Sequence, residues 1–143
     1  MLIKQLLNAK GDRVYTVKPD ETLSAIAALL HTRRVGAFVV TNDQDEVVGI
    51  ISERDLVRAV AIHGETAMKQ PVRDLMTRDV IYAVPGETLD TLLGRMTDRR
   101  IRHLPVIEGG KLAGIVSIGD LVKAKIAAAE AEAQTLKAYI AAG

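Results

Sequence analysis

Two stretches place a serine three residues before an aspartate, each after an apolar run: GIISERD at residues 49–55 and GIVSIGD at residues 114–120. The spacing has a local use. In a capping box the serine oxygen accepts an N–H of the first helical turn, and the acidic side chain at the third helical position reaches back to the serine N–H. Ser52 with Asp55 and Ser117 with Asp120 satisfy that pattern without any ligand. Capping alone does not explain why the whole Gly-Ile-x-Ser-x-x-Asp pattern occurs twice, with its serines 65 residues apart.

Other chemistries find little support. The chain has no cysteine, so it has no disulfide framework, thiolate nucleophile or Cys-ligated zinc site. No phosphate-loop, dinucleotide, zinc-protease or nucleophile-elbow motif occurs, and the three histidines lack ligand spacing. The expectation is therefore a non-enzyme with no catalytic residue, no metal and no required cofactor. A formal net charge of +1 gives no reason to expect nucleic acid or an anionic membrane as partner.

The elements that would hold the two motifs also come in duplicate. VYTVKPDETL at 14–23 answers VIYAVPGETL at 80–89, and Arg33-Arg34-Val35 answers Arg99-Arg100-Ile101. Such self-similarity marks repeated supersecondary units. Each copy predicts a short strand (Val14 to Val17; Val80 to Val84) running into a proline turn. A helix capped by Thr22 or Thr88 follows. Its apolar face is Leu23, Ile26, Ala27 and Leu30 in the first copy, and Leu89, Leu92, Leu93 and Met96 in the second. Arg33-Arg34 and Arg99-Arg100 suit the negative helix end. A hairpin comes next, Ala37 to Thr41 with Val47 to Ile51, and Leu104 to Ile107 with Leu112 to Val116. Asn42-Asp43 and Gly109-Gly110 supply the turns, and a second helix starts at each motif serine. Residues 64–70 read as a connector, and Pro71 as the start of a short helix to Met76.

The β-α-β-β-α unit ending in GIxSxxD, together with RIRHLPV at residues 100–106, resembles the cystathionine-β-synthase-type (CBS) domain, and residues 10–125 resemble a stand-alone CBS pair. The resemblance implies an α+β fold of two CBS units packed pseudo-symmetrically, with a short N-terminal and a long C-terminal helix. The expected division is 1–70 for the N-terminal helix plus first unit, 71–126 for the second unit and 127–143 for the helical extension. It also implies clefts for adenosine-containing ligands: AMP, ADP, ATP, NAD(H) or S-adenosylmethionine. Carried onto this sequence, Asp55 and Asp120 become ribose ligands, and Ser52 and Ser117 contact phosphate. Arg54, Arg102 and His103 become phosphate candidates, with Gly36 and Ala37 standing where the second copy has Arg102 and His103. Adenine would lie near Tyr15 or Ile81. A carboxylate can accept from two ribose hydroxyls, and N–H groups at a helix start favour phosphate oxygens. The unequal charges make two equal sites doubtful.

The function expected is an adenine-nucleotide-binding regulatory module for signal transduction, acting in trans on an unknown protein target. The alternative is a ligand-free scaffold for dimerisation or docking. MLIKQLLNAKG at the N-terminus reads as an amphipathic helix rather than a secretory signal, and no run reaches membrane-spanning length. These features and the absence of cysteine predict a cytoplasmic protein. From Leu121 to Ile140 there is no proline or glycine. Val122, Ile126, Ala129, Ala133, Leu136 and Ile140 recur at steps of four and three, as in a coiled-coil seam. A homodimer is expected, its tail helix either joining a partner or folding back on its own domain.

Overall fold

The computed structural model describes residues 1–11 and 14–143. Its elements are α1 (Ile3–Lys10), β1 (Thr16–Val17), α2 (Leu23–Arg33), β2 (Ala37–Thr41), β3 (Val47–Ser52), α3 (Glu53–His63), α4 (Leu89–Arg99), β4 (His103–Glu108), β5 (Lys111–Ser117) and α5 (Ile118–Ala142), with 3-10 turns at Gly64–Lys69 and Val72–Asp74. The fold is α+β, and the chain forms two compact units, Arg13–Ile81 and Met1–Asp12 with Tyr82–Gly143.

In the unit Arg13–Ile81, β2 pairs antiparallel with β3 and parallel with β1. Thr22 caps α2, its Oγ1 accepting the Ala25 N–H at 3.2 Å. The chain leaves α2 through Arg34, in the left-handed conformation at φ 55°. The predicted apolar face is buried at Leu23, Ile26 and Leu30. It packs with Val17, Phe38, Val40, Ile51, Ala59, Ala67 and Val72 in one core cluster. Asn42 closes the hairpin by accepting the Gln44 and Glu46 N–H groups on its side-chain carbonyl.

The unit Met1–Asp12 with Tyr82–Gly143 repeats this plan. Thr88 caps α4 through the Thr91 N–H, and Arg100 ends the helix at φ 55°. Leu89, Leu92 and Met96 are buried, as are Leu104, Val106, Val116 and Leu121. Gly109 and Gly110 both have positive φ, 59° and 77°, as a two-residue hairpin turn requires.

Two expectations need correction. The strand expected at Val80 to Val84 reduces to one parallel bridge, Ala83 to Val106. One residue on, the Val84 N–H is taken by the Glu87 carboxylate at 3.0 Å, and Pro85 has no N–H to offer. In the first copy the Lys18 N–H goes to Glu21 at 2.7 Å, which limits β1 to two residues. The connector and the short helix after Pro71 are 3-10 turns.

The compact units do not follow the order of the repeat along the chain. The segment before each copy packs with the other copy's unit. Ile3 and Lys4 donate their N–H groups to the carbonyls of Glu87 and Pro85, and Leu89 donates to Met1. Val72 and Arg73 donate equivalently to Glu21 and Pro19, and Leu23 donates to Gln70. Glu21 and Glu87, like Pro19 and Pro85, are matched positions of the repeat. The motif glycines make room for these segments. A Cβ on Gly49 would lie 2.5 Å from Met76 Sδ and 3.0 Å from the Thr77 carbonyl, and one on Gly114 would lie 2.7 Å from Leu7 Cδ2.

Candidate functional site

Each motif sits where a hairpin strand turns into a helix. β3 ends at Ser52 and α3 begins at Glu53, while β5 ends at Ser117 and α5 begins at Ile118. Both serines have extended backbone and both capping boxes are complete. The Asp55 N–H donates to Ser52 Oγ at 3.3 Å, and the Asp120 N–H donates to Ser117 Oγ at 3.1 Å. In return each carboxylate accepts the serine N–H at 2.9 Å. The local reading of Ser-x-x-Asp therefore holds in both copies.

The strand beside each motif brings in further expected residues. Ala37 is opposite Ser52 in the β2–β3 ladder, and the Gly36 carbonyl accepts the Glu53 N–H at 3.0 Å. His103 is opposite Ser117 in the β4–β5 ladder, and the Arg102 carbonyl accepts the Ile118 N–H at 2.8 Å. One unit thus gathers Gly36, Ala37, Ser52 and Asp55 at a strand–helix junction, with the exposed Arg54 in the first turn of α3. The other gathers Arg102, His103, Ser117 and Asp120, with Arg102 exposed. Tyr15 precedes β1 and is 43% exposed, its ring covered by the Arg33 guanidinium 3.9 Å from the centroid. Ile81 is half-buried and lies outside any strand.

The two aspartates differ in ways the motif does not reveal. Asp55 is buried, with 5% exposure. Its Oδ2 accepts from the Ser52 N–H and hydroxyl, and its Oδ1 accepts from Thr77 Oγ1 at 3.2 Å and Arg58 Nη1 at 3.3 Å. Asp120 keeps 26% of its side chain exposed. Its Oδ2 takes the Ser117 N–H and the Lys10 ammonium at 2.6 Å, and the Ser117 side chain also supports its charge. Lys10 also donates to the Ile115 carbonyl at 2.8 Å, which fixes the end of α1 against β5. Burial works against the Asp120 charge, but Lys10 and the Ser117 N–H outweigh it and hold the carboxyl below its ordinary value.

Thr77, Arg58 and Lys10 were absent from the residues expected at the site. Thr77 and Lys10 arrive on the exchanged segments, 22 and 110 residues from their aspartates. The one signal in the sequence was the glycine opening each motif, which marks the close approach of those segments. Among the described residues no cluster of His, Cys, Asp or Glu is arranged to hold a metal ion. Among them also, no helix is long and apolar enough to cross a membrane.

The CBS-domain sequence pattern matches residues 10–62 and 72–127. A mitochondrial CBS-domain-containing protein of Arabidopsis thaliana is 35% identical over 140 residues, covering 95% of this chain and 68% of its own length. The crystal structure of a CBS-domain-containing protein from Agrobacterium tumefaciens is 47% identical, with a TM-score of 0.85 over 87% of this chain and 92% of its own. A CBS-domain pair crystallised with methylthioadenosine and S-adenosyl-L-methionine shares the fold at 23% identity, with a TM-score of 0.76 over 86% of this chain and 94% of its own. Two matches to one domain pattern, one on each copy of the repeat, establish that this chain belongs to the CBS-domain family as a tandem pair.

Proposed function

We propose that the chain is an adenine-nucleotide-binding regulatory module that works as a homodimer in the cytoplasm and acts in trans on a protein target. The observation that carries this reading is the state of Asp120. Its carboxylate is held ionised and stays partly exposed at the N-terminus of a 25-residue helix. A partly exposed carboxylate can accept ribose hydroxyls beside the Ser117 N–H that it already takes. Ser117, Arg102 and His103 share that junction and supply a hydroxyl, a guanidinium and an imidazole suited to phosphate. The related pair crystallised with S-adenosyl-L-methionine and methylthioadenosine holds adenosine compounds, and the same ligand class is proposed here: AMP, ADP, ATP, NAD(H) or S-adenosylmethionine. The reading is one of regulation rather than catalysis, because the sequence carries no phosphate-loop, zinc-protease or nucleophile-elbow motif.

A second reading has its own observation. Asp55 is buried and both of its oxygens are occupied, so the first motif works as a structural joint. If Asp120 behaved in the same way, the chain would be a ligand-free scaffold. Calorimetry and thermal shift with each nucleotide separate the two. A ligand specific to the folded state stabilises by about 2.7 kcal/mol at a hundred times its dissociation constant. No shift and no heat with any of them would leave the scaffold.

A further inference from the structure

α5 continues past the matched domain, which ends at residue 127, to Ala142. Every residue from Lys125 onward is exposed, so the tail does not fold back on its own unit. Its seam is open as well: Val122 is 44% exposed, Ile126 54%, Leu136 59% and Ile140 68%. The steps between seam residues assign heptad positions. Ile126, Ala133 and Ile140 fall at a, and Val122, Ala129 and Leu136 at d. Isoleucine fills two of the three a positions and leucine one d position, Leu136, and isoleucine at a with leucine at d favours two parallel strands.

The charges beside the seam say which way the second helix runs. Lys123, Glu130 and Lys137 occupy e, while Lys125 and Glu132 occupy g. In a parallel, in-register pair each g residue meets the e residue five positions later on the other helix. That brings Lys125 to Glu130 and Glu132 to Lys137 of the second copy, opposite signs in both cases and twice over by symmetry. An antiparallel pair that overlays the same seam sets Ile126 against Leu136 and Ala129 against Ala133. It places Lys123 against Lys137, Glu130 against Glu130 and Glu132 against Glu132. Like charges then meet along both flanks, which disfavours that arrangement. Nor do the charges serve the helix itself, because Glu130, Glu132 and Lys137 have no opposite charge three or four residues away. Lys125 already bonds Asp90 at 2.7 Å, so the Glu132–Lys137 pair is the more discriminating.

We infer that the tail of α5 docks on the tail of a second copy of this chain as a parallel, in-register, two-stranded coiled coil. This rests on the homodimer reading above and adds its orientation and register. The absence of cysteine makes the test clean in the full chain. Ile140→Cys should form a covalent dimer under mild oxidation, while Ala131→Cys, on the outer face, should not. In a mixture of Val122→Cys and Ile140→Cys chains each should link to its own kind, and a dominant product joining residue 122 to residue 140 would overturn the orientation. Glu132→Lys should raise the dimer dissociation constant about three- to tenfold, and Glu132→Lys with Lys137→Glu should restore it. Failure of the double exchange to restore the dimer overturns the pairing. A parent chain that sediments as a dimer while Ile140→Cys fails to link defeats the coil alone, whereas a monomeric parent defeats the homodimer reading with it.

Discussion

Asp55 and Asp120 occupy the same motif position, yet their surroundings predict opposite consequences for the same substitution. Asp55→Asn puts an amide where four donors now converge on a buried carboxylate. At least one N–H would face another donor, and a buried unmet polar group costs about 1–3 kcal/mol. Urea unfolding should register that loss, with little change in nucleotide affinity. Asp120→Asn, being partly exposed, should spare most of the stability and reduce nucleotide binding, read by calorimetry. A normal affinity in Asp120→Asn would remove it from the ribose site. The Lys10 contact gives a pH signature. Because the folded state holds the Asp120 carboxyl below its ordinary value, its contribution is fully present above the unfolded carboxylate range, near pH 4, and is lost as pH falls through the folded value. Lys10→Met should therefore be less stable than the parent by roughly 0.5–1 kcal/mol at pH 6–7, with the gap closing toward pH 3. A gap independent of pH would mean that Lys10 matters through its packing and its bond to Ile115 instead.

At the scale of elements, the exchanged segments make the two motif glycines unequal. On Gly49 a new methyl group would press on the Thr77 carbonyl as well as on Met76, and a backbone oxygen hydrogen-bonded to Ile50 cannot easily give way. On Gly114 it would meet only the end of the Leu7 side chain, which can change rotamer. Gly49→Ala should cost about 1–3 kcal/mol in urea unfolding, and Gly114→Ala less than about 1 kcal/mol. Equal losses would show that α1 is held as rigidly as the Met76–Thr77 segment. The same comparison explains what the sequence could disclose. Thr22, Thr88, Ser52 and Ser117 act within three residues of themselves, and the glycine pair at 109–110 sets its own turn, so the helices and hairpins were legible from local pattern. The apolar pattern at Val80 to Val84 promises more strand than forms, because the Glu87 side chain competes for a backbone N–H, a contest that pattern does not register. The pairing of each leading segment with the other copy was illegible for a different reason. It is written in backbone bonds between residues as far apart as Val72 and Glu21, or Leu89 and Met1, and it leaves only a glycine as its trace.

On the scale of the whole molecule, exposed apolar helix faces ask for a partner, and the motif chemistry does not supply one. Val57, Val60 and Ile62 are 70%, 45% and 68% exposed on α3, and Ile118, Val122 and Ile126 are 37%, 44% and 54% exposed along one stripe of α5. The stripe begins inside the matched domain and continues along the tail, so one association can use both parts. The tail contributes Leu136 and Ile140 as its large apolar groups, while Ala129 and Ala133 allow close approach but bury little. Fully burying a Leu or Ile side chain is worth about 1.5–3 kcal/mol, and incomplete burial in a short exposed coil delivers a fraction of that. Deleting residues 127–143 should then raise the dimer dissociation constant by on the order of ten- to a hundredfold without abolishing the dimer, because the stripe from Ile118 to Ile126 and the face of α3 remain. The truncated chain should keep its nucleotide affinity, since Asp120, Ser117 and Lys10 all lie outside the deleted segment. Sedimentation of both forms at tens of micromolar reads the outcome directly. A dimer constant unchanged by the deletion would confine association to the domain helices, and complete dissociation would assign it to the tail.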